Sequence, residues 1–538
     1  MDQVQVRRGT GEAGAETLLT NGRVEVRWQE DAQLVLRDPF DKEARVAGGP
    51  LVELAPHKND TRPRTLGLGL AHDNDTIDTS EPEYMQDAHG SYVALRRRFP
   101  IAVQPLTLEW MVRVYDKHPF VRIDLTLQNI GAAPITIRRI FPFVTGSWWG
   151  NNALRLGSYK TDFAVYKNGW QSSSYAGGLP LDVADPYPQS KIGLVLHGPA
   201  GRAPRQPISG TIDVVSDAMA LLGHPSQSEA LLAGFLSADR WLGQVYAQRR
   251  DGAFAACALL DDATIEPGQT IVTPPLLLAL GPQERLPVLY AEAVAREQGA
   301  RRSASVPTVW CSHHAYPTAL SEEAILDSVT SLRAVRGMTP IEVVEIDDGY
   351  QTAIGDWLIV NEQFPHGMDA VAERIREAGY RPGIWLAPFT VSPNSRLAQQ
   401  HPDWLVRDET GNPVFGGRGW GTDLYGLDTT HPGAQDWLRR VFTLIVEHGG
   451  YDYLKLDALF SGALVGLRHD SSATRASALR DGLRLIRETV GEDTFLLGCG
   501  SPLLSAVGLL DAMRVAPDVA PHWEPHASSA AMSQGDLA

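Results

Sequence analysis

Cysteine is scarce in this chain. Three residues in 538, Cys257, Cys311 and Cys499, with no CxxC pair among them, supply neither a disulfide framework nor a structural zinc site. Blocks of like charge are also missing. The formal net charge is −16, and its acidic and basic residues are dispersed along the chain. That balance argues against nucleic acid or an anionic membrane as partner and favours a neutral substrate. No apolar run approaches the length of a membrane span, and the opening "MDQVQVRRGTGEAGAETLL" has no apolar signal core. The expected address is the cytoplasm, with no membrane partner. Two weaker signals lack what they would need. His313 and His314 are adjacent, which on a strand sends their side chains to opposite faces and away from one metal. "GGRGWG" (416–421) has neither the glycine spacing nor the strand-then-helix setting of a phosphate loop, and reads as a flexible loop over the site.

What is present falls into two rhythms. Up to about residue 280 the apolar period is two, as in "FVRIDLTLQNI", "RVEVRW" and "LTLEWMVRVYD", with turn-rich spacers such as "DKHP". An antiparallel β-sandwich over residues 1–300 is expected, closed by a helix in "ERLPVLYAEAVAREQ" and a polar linker. From 301 to 538 the pattern is strand, loop, helix: "TVWCSH", "IEVVEIDDG", "PGIWLAP", "YDYLKLD", "TFLLGCG" and "AMRVAPD" are short apolar runs separated by amphipathic stretches. Parallel strands buried on both faces read this way, and a (β/α)8 TIM-type barrel is expected. Six strands are two short of eight. The expectation is a barrel incomplete at its C-terminal end, poorly soluble or weakly active.

In such a barrel the chemistry gathers at the C-terminal strand tips. Asp347 and Asp348 close one run, Asp457 another and Asp518 a third. Any one could be a helix cap or a solvated acid; their recurrence at one end of successive strands points to the paired carboxyl groups of glycoside hydrolysis. Lys455, two residues before Asp457, shares its strand face and is expected to keep that acid ionised, unless it merely snorkels from the barrel end. Trp310, Trp357 and Trp385 lie near the same tips and could stack on sugar rings, although a lone tryptophan is usually core. Cys499 has no histidine to activate it and fits better as a small pocket-lining residue.

In order, "EIDDGYQ", "GDW", "FPHGM", "GYRPGIWLAP", "HPDWLV", "LDTTHP" and "YDYLKLD" resemble the α-galactosidases of glycoside hydrolase family 36, the melibiases, over residues 306 to 523. "NGWQSSS" (168–174) resembles part of that family's N-terminal domain. The resemblance implies a retaining enzyme that releases terminal α-galactose from melibiose- or raffinose-type oligosaccharides. Asp457 would be the nucleophile and Asp518 the acid and base, their carboxyl groups about 5 to 5.5 Å apart. Asp347 and Asp348 would hold the 4- and 6-hydroxyls, with Trp385, Lys455 and Cys499 completing the subsite. The partner would be a small carbohydrate, with no metal or organic cofactor; tetramers are common in the family, so a homo-oligomer fits. Departures from the pattern are "APF" (387–389) where many members have "EPE", a missing arginine in "GTDLYGLD", and "GCGSPLLSAVG" in place of a glycine-rich stretch. They leave open a transglycosylase, a hydrolase for another α-glycoside such as α-N-acetylgalactosaminide, or an impaired sugar-binding remnant.

Overall fold

The computed structural model describes residues 3–516 other than 12–13, 30–32, 41–43, 56–63, 68–77, 102–103, 146–153, 173, 186–212, 304 and 317–318. Two compact units emerge. The first is built from Met1–Trp170, Tyr175–Ser190 and Arg202–Gly299, the second from Gln171–Ser174, Lys191–Gly201 and Ala300–Ala538.

The first unit holds two antiparallel sheets, of ten and eleven strands, and the helix Leu286–Gln298. Leu106–Tyr115 alternates as its sequence asks, with Leu106, Leu108, Trp110, Val112 and Val114 buried. Trp110 meets Trp28 edge to face at 5.1 Å, joining two of the runs read from the sequence. Val121–Asn129 departs in part from the half-buried strand expected of it, because Arg122 and Asp124 of its polar face are buried too, while Gln128 stays exposed. Arg122 and Asp124 pair at 3.1 Å, Arg113 reaches Asp124 at 3.0 Å, and Arg122 reaches Glu297 of the helix at 2.7 Å. A charge that finds its partner on the sheet no longer needs water, which period-two reasoning does not see.

The second unit is a six-stranded parallel sheet whose spatial order follows the chain: β1 (Val309–Cys311), β2 (Val343–Ile346), β3 (Arg381–Leu386), β4 (Tyr453–Leu456), β5 (Phe495–Gly498) and β6 (Ala512–Met513). All six fall in the apolar runs read as strands. Helices α1 (Glu322–Ala334), α2 (Gly367–Glu377), α3 (Pro432–Thr443) and α4 (Arg475–Val490) intervene between successive strands from β1 to β5. In α2 the stripe Met368, Val371 and Ile375 is buried, and Gly379 follows at φ 85°. Helix α3 begins at Pro432, where the His431 ring accepts from the Gly433 amide, and continues as a π-turn to His448. Helix α4 is nearly engulfed and starts with a reciprocal Thr474–Ser477 capping box.

Between β3 and α3 a small antiparallel sheet forms, with a hairpin of Phe415–Gly419 and Thr422–Gly426. "GGRGWG" is therefore ordered strand and turn, which corrects the flexible-loop reading. Likewise His313 and His314 lie in a single helical turn, Ser312–Ala315, rather than on a strand.

Candidate active site

Register brings the site residues together. Cys311 of β1 pairs with Glu345 of β2, Glu345 with Gly383 of β3, and Trp385 of β3 with Lys455 of β4. Gly383 is a close approach: a Cβ there would meet the Tyr453 ring at 2.9 Å and the Glu345 Cα at 3.2 Å.

Lys455 Nζ donates to Asp347 Oδ2 at 2.6 Å and lies 3.7 Å from Glu345 Oε1. This corrects the expectation that it serves Asp457, since the ammonium is committed to the acids of β2. Asp347 also accepts from the Cys311 thiol (3.3 Å) and the Asp348 amide (2.8 Å), and its own amide donates to Ser312 Oγ (2.8 Å). Burial alone would raise the Asp347 carboxyl; the Lys455 charge and hydrogen bond outweigh it and hold the group low, at about 2. Glu345, fully buried with Oε1 unbonded, is pushed up to about 8 by that burial, against the pull of Lys455. Cys311, Glu345 and Asp347 offer ligand atoms within 4.8 Å of one another, a set with the donors for a metal ion. The ammonium of Lys455 already supplies the positive charge there.

Asp457 follows β4, its amide donating to Leu386 O at 2.7 Å. The chain then turns sharply, with Ala458 at φ 48°, a left-handed conformation that costs a non-glycine residue about 1–2 kcal/mol. Strain of this kind persists where the surroundings over-determine it. The turn brings the Ala458 amide to Asp457 Oδ1 (2.7 Å), while the Trp385 indole N–H donates to Oδ2 (3.2 Å). Two donors thus fix the carboxylate plane. Cys499 is buried beside it, and burial followed by the charge of Asp457 pushes its thiol well above the usual range, leaving a neutral group.

Trp385 is the centre of an aromatic row, edge to face with Trp357 at 5.7 Å and with Trp420 at 5.2 Å. Trp357 is core, while Trp310 is half-buried against Tyr316 at 6.5 Å. A cavity of about 640 Å³ opens beside the row, lined by Asp348, Gln351, Asn361, Ser392, Asn394 and Trp420 among others. Gln351 Nε2 donates to Asp348 Oδ1 at 2.6 Å, and burial raises the Asp348 carboxyl against that bond.

Of the residues read from the sequence, Asp347, Lys455, Asp457, Trp385 and Cys499 meet at the tips of β2 to β5, and Asp348 and Trp357 adjoin them. Asp518 lies outside the described residues, as does Ser173 of "NGWQSSS". Sequence reasoning missed Glu345, Cys311 and Trp420. The signal for Glu345 was available, because two residues before Asp347 it shares that strand face by the same rule that paired Lys455 with Asp457. His313, set aside as a metal ligand, has Nδ1 3.9 Å from Asp347 Oδ1. No helix among the described residues is long and apolar enough to cross a membrane.

Residues 327–476 match the melibiase family model. The α-galactosidase AgaA of Geobacillus stearothermophilus is 30% identical over 155 residues, 26% of this chain and 20% of its own length. The Escherichia coli α-galactosidase is 28% identical over 27% of this chain and 21% of its own. The matched part thus spans about a fifth of these relatives. Among solved structures, the Thermus thermophilus α-galactosidase TtGalA in complex with stachyose is 29% identical, with a TM-score of 0.57 over 80% of each chain. AgaB of Geobacillus stearothermophilus, 15% identical, shares the fold over 95% of this chain and 75% of its own, with a TM-score of 0.60. Residues 327–476, which carry the strand tips of β2, β3 and β4, are therefore similar to the melibiases, the α-galactosidases of glycoside hydrolase family 36.

Proposed function

We propose that this protein is a retaining α-galactosidase acting on terminal α-linked galactose of raffinose- or melibiose-type oligosaccharides. The observation that carries the reading is the tip of β4. There Asp457 presents a carboxylate fixed by the Ala458 and Trp385 N–H donors, and the buried Lys455–Asp347 pair belongs to the same strand ends. A nucleophile needs such fixed aim, and a sugar with several hydroxyls needs charged partners held rigidly beside it. TtGalA, similar at 29% identity, is known with stachyose bound, an α-galactoside of this class.

In the proposed reaction an Asp457 oxygen forms a bond to the anomeric carbon as the glycosidic C–O bond breaks. The departing oxygen takes a proton from Asp518, the partner assigned by resemblance. Water then attacks the same carbon, gives its proton to Asp518 and releases the Asp457 carboxylate, so that configuration is retained over two inversions. Asp347 and Asp348 are assigned the 4- and 6-hydroxyls, and Lys455 and Cys499 the rest of the galactose contacts. Trp385 lines the pocket, flanked by Trp357 and, farther off, Trp310. The parallel unit is read as the greater part of a (β/α)8 barrel over 301–538, and the antiparallel unit as a β-sandwich over 1–300.

The test is NMR of an α-galactoside incubated with the protein. Appearance of α-galactose before its mutarotation supports the reading. Release of β-galactose first would overturn retention, and no hydrolysis would overturn the activity.

A further inference from the structure

The cavity beside the site extends beyond anything the proposed chemistry uses. Apart from Asp348 its lining is uncharged, and amide side chains recur in it: Gln351, Asn361, Gln363 and Asn394. The side-chain amide of Asn394, an exposed residue of this lining, makes no hydrogen bond to another described residue. One wall is Trp420.

That tryptophan is in an unexpected place. Gly419 and Thr422 are register partners, so Trp420 and Gly421 form a two-residue hairpin turn, with φ of 48° and 73°. Such turns need positive φ at both positions and favour Asn-Gly. Turn chemistry therefore argues against a tryptophan, and core packing does not explain it either, because 38% of the residue remains exposed. Its ring meets Trp385 at 5.2 Å, and Trp385 in turn donates to Asp457. Residues held in such conformations cluster at ligand clamps and active sites, and this one lies on a cavity wall.

We propose that Trp420 is the platform of a second sugar subsite, binding an uncharged ring attached to the reacting galactose, with Asn394 among its hydroxyl partners. The chemistry fits because a sugar offers a CH-rich face to an indole and a rim of hydroxyls to amides. About 640 Å³ also lies within the range of pockets that enclose drug-sized ligands, about 300–1,000 Å³. This rests on the α-galactosidase reading and specifies which of its substrates the site favours.

The experiment compares kcat/KM on raffinose with that on methyl α-galactoside for the wild type, Trp420→Asn and Trp420→Phe. Asparagine suits the turn and removes the ring, while phenylalanine keeps a ring. Trp420→Asn is expected to lose activity on both substrates through its contact with Trp385, but to lose about tenfold more on raffinose, mainly in KM. Trp420→Phe should restore most of that ratio. Equal losses on the two substrates would overturn the subsite and leave Trp420 as a prop for Trp385; an unchanged ratio with no loss would overturn it too. If the wild type cleaves neither sugar, calorimetric titration separates the two ideas. Tighter binding of raffinose than of methyl α-galactoside would keep the subsite and sink the hydrolase reading, and binding of neither would sink both.

Discussion

In the antiparallel unit the buried Arg139 meets Glu53 at 2.7 Å, one cation to one carboxylate. In the parallel unit the buried Lys455 stands between two, Asp347 at 2.6 Å and Glu345 at 3.7 Å. Both arrangements bear the cost of removing charge from water; in the one-to-one pair burial raises the Glu53 carboxyl against the pull of Arg139, but a single cation still answers a single acid. The unmatched one does not balance, so one acid must keep its proton, and burial selects Glu345. The comparison teaches how buried charge divides between tasks. A matched pair completes a sheet, whereas an excess of acid around one ammonium leaves a buried acid that keeps its proton.

The largest expected effect breaks the site and spares the fold. Asp457→Asn should lower kcat on an α-galactoside by about 10³-fold or more, with the protein still folded, because this half-buried side chain keeps its shape and its amide oxygen still accepts from one of the two N–H donors, at the expense of the other hydrogen bond. Retained turnover would refute the nucleophile assignment. The converse change breaks the fold and spares the site. Glu53→Ala leaves Arg139 buried without its carboxylate, which costs about 3–5 kcal/mol. Denaturant unfolding measures it, and the double variant Glu53→Leu/Arg139→Met should recover most of the loss. If the single change costs under about 1 kcal/mol, the pair is not the matched unit described here.

Much of this was legible in the chain. Six apolar runs became six parallel strands because strands buried on both faces leave a strong, continuous signal, and the strand-tip acids followed from chain direction alone. What stayed hidden depends on partners distant in sequence. The commitment of Lys455 to Asp347, 108 residues away, is decided by the register of β2, β3 and β4. The burial of Arg122 and Asp124 depends on Arg113 and Glu297 in the same way. Trp420 was invisible because a hairpin turn is normally announced by Asn or Asp before Gly, and here it is Trp-Gly.

A smaller effect tests the unmatched cluster through pH. An unfolded glutamate titrates near 4.5 and Glu345 in the folded protein near 8, so between those values the native state holds a proton that the unfolded state has released. Stability from this group is complete below about pH 4.5 and is lost as pH rises towards 8. Glu345→Gln mimics the protonated acid and should remove that dependence, so its melting temperature should gain on the wild type steadily across the window. Parallel curves would mean that Glu345 is ionised and that the cluster is balanced by some other charge.

The smallest effect comes from the residue next to the matched pair. Arg138 follows the same strand as Arg139 and makes a bidentate contact with Asp262, at 2.9 and 3.1 Å, a geometry as good as that of the buried pair. Its side chain is 36% exposed and that of Asp262 49%, so water already solvates both ions and little is lost when they part. Arg138→Ala should therefore change unfolding free energy by no more than about 0.5 kcal/mol, and less at high salt. A loss approaching that of Glu53→Ala would show that geometry, rather than burial, sets the worth of an ion pair in this sheet, and would remove the ground for contrasting matched and unmatched buried charge.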